Sequence, residues 1–227
     1  MKTISVMVAG QTSNCIKSKV GSKRIWYKDV LSSFPFEIQF YDIFNNESIS
    51  MENDDAWIIT GSEFSVYDNL DWLNNFKIKL LEAINMKKPI LGICFGHQLL
   101  ADVLGGAVKK NNLGWEVGYA PIQLSPFGQN SKLFNNFPNL FFAAETHQDI
   151  VEKLNKKCKL LAFNDMGIQA FSYEKHIYGV QFHPEFNENI LDSYIDLRSS
   201  NNISINYPNK VEIDISTNVF QNFIEKI

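Results

Sequence analysis

An apolar run that ends in glycine, cysteine and glycine and turns at once into a helix restricts this chain more than any other feature. Residues Pro89-Ile90-Leu91-Gly92-Ile93-Cys94-Phe95-Gly96-His97-Gln98-Leu99-Leu100-Ala101 read as a buried strand, a Gly-x-Cys-x-Gly turn and a helix. Glycines on both sides permit a tight, strained turn that a Cβ would obstruct. Such a turn pushes the thiol out at the carboxyl end of a strand, where open α/β sheets bind ligands. It also sets Cys94 at a helix N-terminus, whose partial positive charge favours the reactive thiolate. Cys15 and Cys158 lie in polar surroundings without that geometry and read as incidental.

The segments around this turn predict an α/β fold with a mainly parallel central sheet and flanking helices. Strands are expected at Ile4–Ala9, Phe36–Tyr41, Ala56–Thr60 and Ile90–Ile93. Helices are expected at Arg24–Leu31, with Ile25, Trp26 and Val30 on one face, and at Asn69–Met86. In the latter, Leu70, Leu73, Phe76, Leu80, Leu81 and Ile84 form the apolar stripe. Gly96–Leu104 is the helix after the cysteine, closed by Gly105-Gly106. The second half is strand-rich: Ala120–Leu124, Leu140–Ala143, Lys159–Asn164, Ile168–Tyr173 and Ile177–Phe182. Asn187–Arg198 and Ser216–Ile227 read as two tail helices, the last capped by Ser216 or Thr217. With no repeat and no low-complexity linker, one domain over 1–227 is expected, with a helical extension over about 187–227.

A cysteine nucleophile needs a base, and the base needs a group that orients it. Ile177-Tyr178-Gly179-Val180-Gln181-Phe182-His183-Pro184-Glu185 is an apolar strand ending in His-Pro-Glu. In extended chain, residues two apart point the same way, and Pro184 stiffens that conformation. Glu185 is therefore expected to reach the imidazole of His183 and fix its tautomer. The other histidines fit the task less well. His97 sits in the helix of the nucleophile, in a structural or pocket-lining position. His147 lies in Glu145-Thr146-His147-Gln148-Asp149, read as a polar loop walling the site, and His176 sits in a turn expected to face solvent.

Composition narrows the remaining classes. Hydrophobic residues make up 45% of the 227, with eighteen Phe, enough for a large core. A net charge of -4 gives no reason to expect nucleic-acid or membrane-surface binding. Lys17, Lys19, Lys23, Arg24 and Lys28 form a local basic cluster, read as a solvated loop. Three cysteines without a Cys-x-x-Cys pair support neither a disulfide framework nor a zinc site. No signal peptide or spanning segment is read, so a cytoplasmic location is expected. Thiol chemistry on an amide needs no metal and no organic cofactor, and none is expected.

The two motifs, Gly92-Ile93-Cys94-Phe95-Gly96-His97-Gln98 and Gly179-Val180-Gln181-Phe182-His183-Pro184-Glu185, resemble those of the class I glutamine amidotransferases. Thr60-Gly61-Ser62-Glu63-Phe64-Ser65-Val66-Tyr67-Asp68 and Gly114-Trp115-Glu116-Val117-Gly118 are similar to stand-alone relatives of the GMP synthase amidotransferase domain. The resemblance runs from about Ile4 to Phe186 and implies that family's flavodoxin-like architecture. It implies that Cys94, His183 and Glu185 cleave a γ-glutamyl amide through a thioester. It further implies an oxyanion hole from the backbone amides of Phe95 and Ser62, and a substrate pocket shaped by Gly61, Gln98 and His147. Where GMP synthase has Gly-Gly-Pro, this chain has Gly61-Ser62-Glu63, which places a carboxylate near the entrance. No ATP-binding motif is present, so ammonia would pass to a separate synthetase, or the chain would act as a hydrolase on glutamine or another γ-glutamyl compound; a non-catalytic binding or regulatory module that keeps the fold is the third alternative.

Overall fold

Six consecutive buried residues make Thr3–Val8 (β1) a strand covered on both faces, as parallel sheets require. This computed structural model describes residues 2–51, 54–211, 214–225 and 227. After β1 come two helices, Asn14–Val20 (α1) and Lys23–Leu31 (α2), then Glu37–Asp42 (β2) and Ala56–Ile59 (β3). Asp71–Asn85 (α3), Ile90–Ile93 (β4) and Phe95–Val103 (α4) follow. The second half holds Ala107–Lys110 (β5), Glu116–Leu124 (β6), Pro126–Gln129 (α5), Leu140–His147 (β7) and Asp149–Lys153 (β8). It continues with Cys158–Asn164 (β9), Gly167–Tyr173 (β10), Ile177–Val180 (β11), Glu188–Ser200 (α6) and Asn218–Ile224 (α7).

Among the described residues, nine strands form one sheet in the order β2-β1-β3-β4-β11-β10-β9-β6-β7. The pairs from β2 to β11 are parallel, and those from β11 to β7 are antiparallel. β5 and β8 form a separate two-stranded ribbon. Side chains alternate between two cores, as the period of two dictates. Ile4, Val6 and Val8 of β1 join Tyr27, Leu31 and Phe220 on one face. Met7 joins Leu73, Phe76, Leu99 and Leu100 on the other. The site follows from this topology, because β4 and β11 are parallel neighbours and pair Val180 with Ile93. Cys94 and His183, which follow those residues closely in sequence, leave the sheet at the carboxyl ends of these two central strands.

Several expectations need correction. Ile25 is 50% exposed and Leu81 is 44% exposed. In α2 the buried apolar stripe is Trp26, Tyr27 and Leu31; in α3 it keeps Leu73, Phe76, Leu80 and Ile84, adds Trp72 and Ala83, and leaves out Leu81. The basic cluster is carried by α1 and α2, and Lys23 is buried with its ammonium donating to the Gly10 carbonyl at 3.2 Å. Glu145-Thr146-His147 is the buried end of β7, not a loop, because its polar groups pair inside the protein. His176 is half-buried. The last helix is shorter than expected, and Thr217 at its N-cap makes no side-chain capping bond. Helix α1 and the ribbon of β5 and β8 were not anticipated. Among the described residues no helix is long and apolar enough to cross a membrane.

Candidate active site

Cys94 occupies the sharp turn between β4 and α4 with φ 51° and ψ −101°, a left-handed conformation that costs energy for a residue with a Cβ. The turn holds because its surroundings over-determine it. The Cys94 N–H donates to the Val180 carbonyl at 2.9 Å, and its own carbonyl accepts the Gln98 N–H at 3.1 Å. The flanking glycines are there for space. A Cβ on Gly92 would run into the Gly96 carbonyl, and one on Gly96 would lie 2.5 Å from the Ile59 oxygen. Strand and helix meet so closely that only glycine fits at either place.

His183 and Glu185 leave the neighbouring strand as the spacing predicts. His183 Nδ1 lies 2.9 Å from Glu185 Oε1, with both residues buried. A carboxylate accepts here, so Nδ1 carries the proton and Nε2 presents a lone pair. Among the described residues that Nε2 has no hydrogen-bond partner. The ring stacks on Phe186 with centroids 4.1 Å apart, which holds its plane. Gly61 sits between the two side chains: a Cβ there would lie 3.0 Å from His183 Cε1 and 3.6 Å from Cys94 Cβ. Gly61 thus lies against both the Cys94 and His183 side chains, while Glu185 lies against Nδ1 of His183.

Burial pushes the Cys94 thiol up, and the carboxylates of Glu145, Glu185 and Glu63 push it further, while the Phe95 backbone amide pulls it down. That direction runs against the thiolate preference expected at a helix N-terminus and favours the protonated thiol.

A cleft of about 210 Å³ opens beside Cys94, lined among others by Gln98, Trp115, Thr146, His147, Asp149 and Arg198. Gln98 is held in place as Nε2 donates to the Asp149 carbonyl at 2.8 Å and to Gln181 Oε1 at 3.1 Å. A recess of about 20 Å³ lies on the His183 side of the same mouth and shares Cys94, Thr146 and Arg198 with the cleft. It has room for one water-sized molecule. The Ser62 hydroxyl donates to the Ala9 carbonyl at 2.6 Å and accepts the Phe64 N–H at 3.1 Å, which fixes this loop at the rim of the cleft.

His147 lines the cleft, but the protein engages both of its ring nitrogens. Nδ1 lies 3.0 Å from the Asp149 carbonyl, and Nε2 lies 3.0 Å from Glu116 Oε2 and 3.2 Å from Glu145 Oε2. Burial alone would lower its pKa, but Glu145 and then Glu116 outweigh it and raise it to about 10. Burial raises Glu145 to about 8. Among the described residues these three are the group with metal-ligand spacing. Their separations are those of hydrogen bonds, and Glu116 already accepts from Asn164 at 2.6 Å and Gln169 at 2.9 Å. His97 is buried against Phe171, ring centroids 5.0 Å apart, and burial lowers it to about 3, so it is neutral packing.

Sequence reasoning missed Arg198, which α6 brings over the mouth. Nothing in Ser193-Tyr194-Ile195-Asp196-Leu197-Arg198 marks one polar residue of a surface helix as buried. Lys23 was noticed only as one of a basic cluster, and it lines the recess beside His183.

Known proteins resemble this chain in sequence and in fold. The family described as glutamine amidotransferase class-I matches residues 26–195. γ-Glutamyl peptidase 3 of Arabidopsis thaliana is 30% identical over 211 residues, covering 86% of this chain and 81% of that protein. The glutamine-hydrolysing GMP synthase subunit of Methanococcus vannielii is 43% identical over 105 residues, covering 45% of this chain and 53% of that one. A glutamine amidotransferase from Thermotoga maritima superposes with a TM-score of 0.79 at 20% identity, covering 98% of this chain and 97% of the other. With the family match spanning most of its length, this chain belongs to the class I glutamine amidotransferases.

Proposed function

We propose that this protein hydrolyses a γ-glutamyl amide through a covalent thioester, with Cys94 as nucleophile, His183 as base and acid, and Glu185 as the group that orients His183. The observation that supports this most is the meeting of a strained Cys94, the unpartnered Nε2 of a carboxylate-held His183, and Gly61 wedged between them. His183 takes the thiol proton as sulfur attacks the side-chain carbonyl. The backbone amides of Phe95 and Ser62 stabilise the tetrahedral oxyanion, in a site where little water competes. His183 then returns the proton to the departing nitrogen. A water activated by the same imidazole cleaves the thioester, giving glutamate and free enzyme. Gly61, Gln98 and the wall at His147 shape the pocket for the γ-glutamyl chain.

With glutamine as substrate the leaving group is ammonia, and the small recess beside His183 suits a molecule of that size. The ammonia would then go to a separate synthetase. In this reading the chain acts in the cytoplasm as one domain, with 187–227 as its helical extension. Ammonia release from glutamine by the wild type, abolished in Cys94→Ala, supports the proposal. Undiminished release by that variant contradicts it.

A second reading, a γ-glutamyl peptidase or hydrolase acting on a conjugate, has its own support. Similarity to the peptidase covers 86% of this chain, whereas similarity to the Methanococcus GMP synthase protein covers 45%. Cleavage of γ-glutamyl dipeptides separates the two readings.

A further inference from the structure

The recess beside His183 leaves almost no room beyond the scissile nitrogen. That nitrogen must lie near His183 to be protonated. A substituent on it therefore has to turn back toward the mouth that recess and cleft share. Arg198 stands at that mouth, lining both cavities together with Cys94.

Arg198 is built in as few surface helix residues are. Its side chain is 9% exposed. Nε donates to Thr146 Oγ1 at 3.1 Å, and the guanidinium lies over the Trp115 ring, 4.1 Å from the centroid. Its remaining polar contact among the described residues is long: Nη2 to Glu63 Oε2 at 3.5 Å. That carboxylate belongs to a side chain 45% exposed. Stacking and a single hydrogen bond fix the plane of the cation while most of its N–H donors stay free. Such an arrangement suits capture of a carboxylate from outside, because guanidinium N–H donors match carboxylate oxygens in pairs. Glu63 is a weak occupant that a substrate carboxylate can displace.

Two carboxylates are chemically available in a γ-glutamyl conjugate of an amino acid. The one on the γ-glutamyl side is separated from the scissile carbonyl by the whole side chain, so it extends along the cleft. The one on the leaving amino acid is a single carbon away from the scissile nitrogen, within the reach of a group that borders the recess. We infer that Arg198 is a specificity residue that binds the carboxylate of the leaving amino acid, so that the favoured substrates are γ-glutamyl conjugates of α-amino acids. This rests on the conjugate reading given above.

The test uses the full chain with γ-glutamylglycine and γ-glutamylglycinamide, which differ only in that carboxylate. The wild type should prefer the acid by at least about tenfold in kcat/KM, mainly through KM, as expected of a charge-assisted contact. Arg198→Met should erase this ratio, and Arg198→Lys should restore part of it. Equal turnover of acid and amide by the wild type would overturn the assignment of Arg198 and leave the conjugate reading standing. So would a loss in Arg198→Met that is the same for both compounds. Turnover of glutamine with neither conjugate cleaved would remove the conjugate reading and this inference together. The wild-type comparison needs no substitution, so a variant that fails to fold does not blunt it.

Discussion

Two buried histidines, each held by carboxylates, line adjoining cavities, His147 the cleft and His183 the recess, and their ring nitrogens are engaged differently. His183 gives one ring nitrogen to Glu185, and the other has no partner among the described residues. His147 has Nδ1 at the Asp149 carbonyl and Nε2 at two carboxylates. Burial is similar in the two cases, so burial does not decide which can move a proton. The count of partners does. An imidazole with a free lone pair can accept a proton from a thiol, whereas one locked as a cation between Glu116 and Glu145 can only hold the wall.

The largest effect expected from this contrast is at His183. His183→Asn should lower kcat/KM for the γ-glutamyl substrate by about 10⁴-fold or more, since members of such a unit fail together. Steady-state kinetics checks this, with thermal unfolding to confirm that the variant is folded. Glu185→Gln should cost about 10²–10⁴-fold in kcat, because an amide that donates to Nδ1 imposes the wrong tautomer. A Glu185→Gln enzyme close to wild type would mean that Glu185 merely packs.

His147→Gln should act on stability first. It breaks the buried pair with Glu116 by removing its cation, a change worth about 3–5 kcal/mol. For a chain of this size that corresponds to a fall in Tm of roughly 2–4 °C per kcal/mol. Calorimetry measures it, and an unchanged Tm would break the contrast between the two histidines.

The smallest effect is the pH dependence of this cluster. His147 goes from an ordinary value of 6.5 to about 10 in the folded protein, and Glu145 from 4.5 to about 8. Both folded-state values lie above the unfolded ones. The stability they contribute is therefore fully present below the unfolded values and is lost as pH rises through about 8 and then about 10. The wild-type Tm should decline from neutral pH toward pH 10, and Glu145→Gln should flatten the lower part of that decline. A Tm that rises over this range would contradict the assignment.

The turn at Cys94 and the pairing of His183 with Glu185, on which the proposed chemistry rests, were legible because their signals are local. Gly92, Cys94 and Gly96 announce a turn by steric need, and His183 and Glu185 announce a shared side by the period of two. The parallel half of the sheet was legible for the same reason, from apolar runs such as Ile4–Ala9. The rest depends on partners distant in sequence. Glu145-Thr146-His147 looks like a loop until Glu116 is known to lie opposite His147 in the sheet. Lys23 looks solvated until the Gly10 carbonyl covers its ammonium. Arg198 looks like a surface cation until Trp115 and Thr146 are seen beneath it. Polar residues that are buried in pairs carry no mark in the linear sequence.

The central claim is that Cys94 alone among the three cysteines is a nucleophile aimed at a γ-glutamyl carbonyl. The direct measurement is peptide mapping by mass spectrometry after exposure to a glutamine-like diazo- or chloroketone. Cys15 is exposed and Cys94 is buried, so accessibility alone would favour Cys15. A single adduct on Cys94 is expected, slowed by excess glutamine and absent in His183→Asn. Labelling of Cys15 in preference to Cys94, or labelling of Cys94 that His183→Asn leaves untouched, would contradict it.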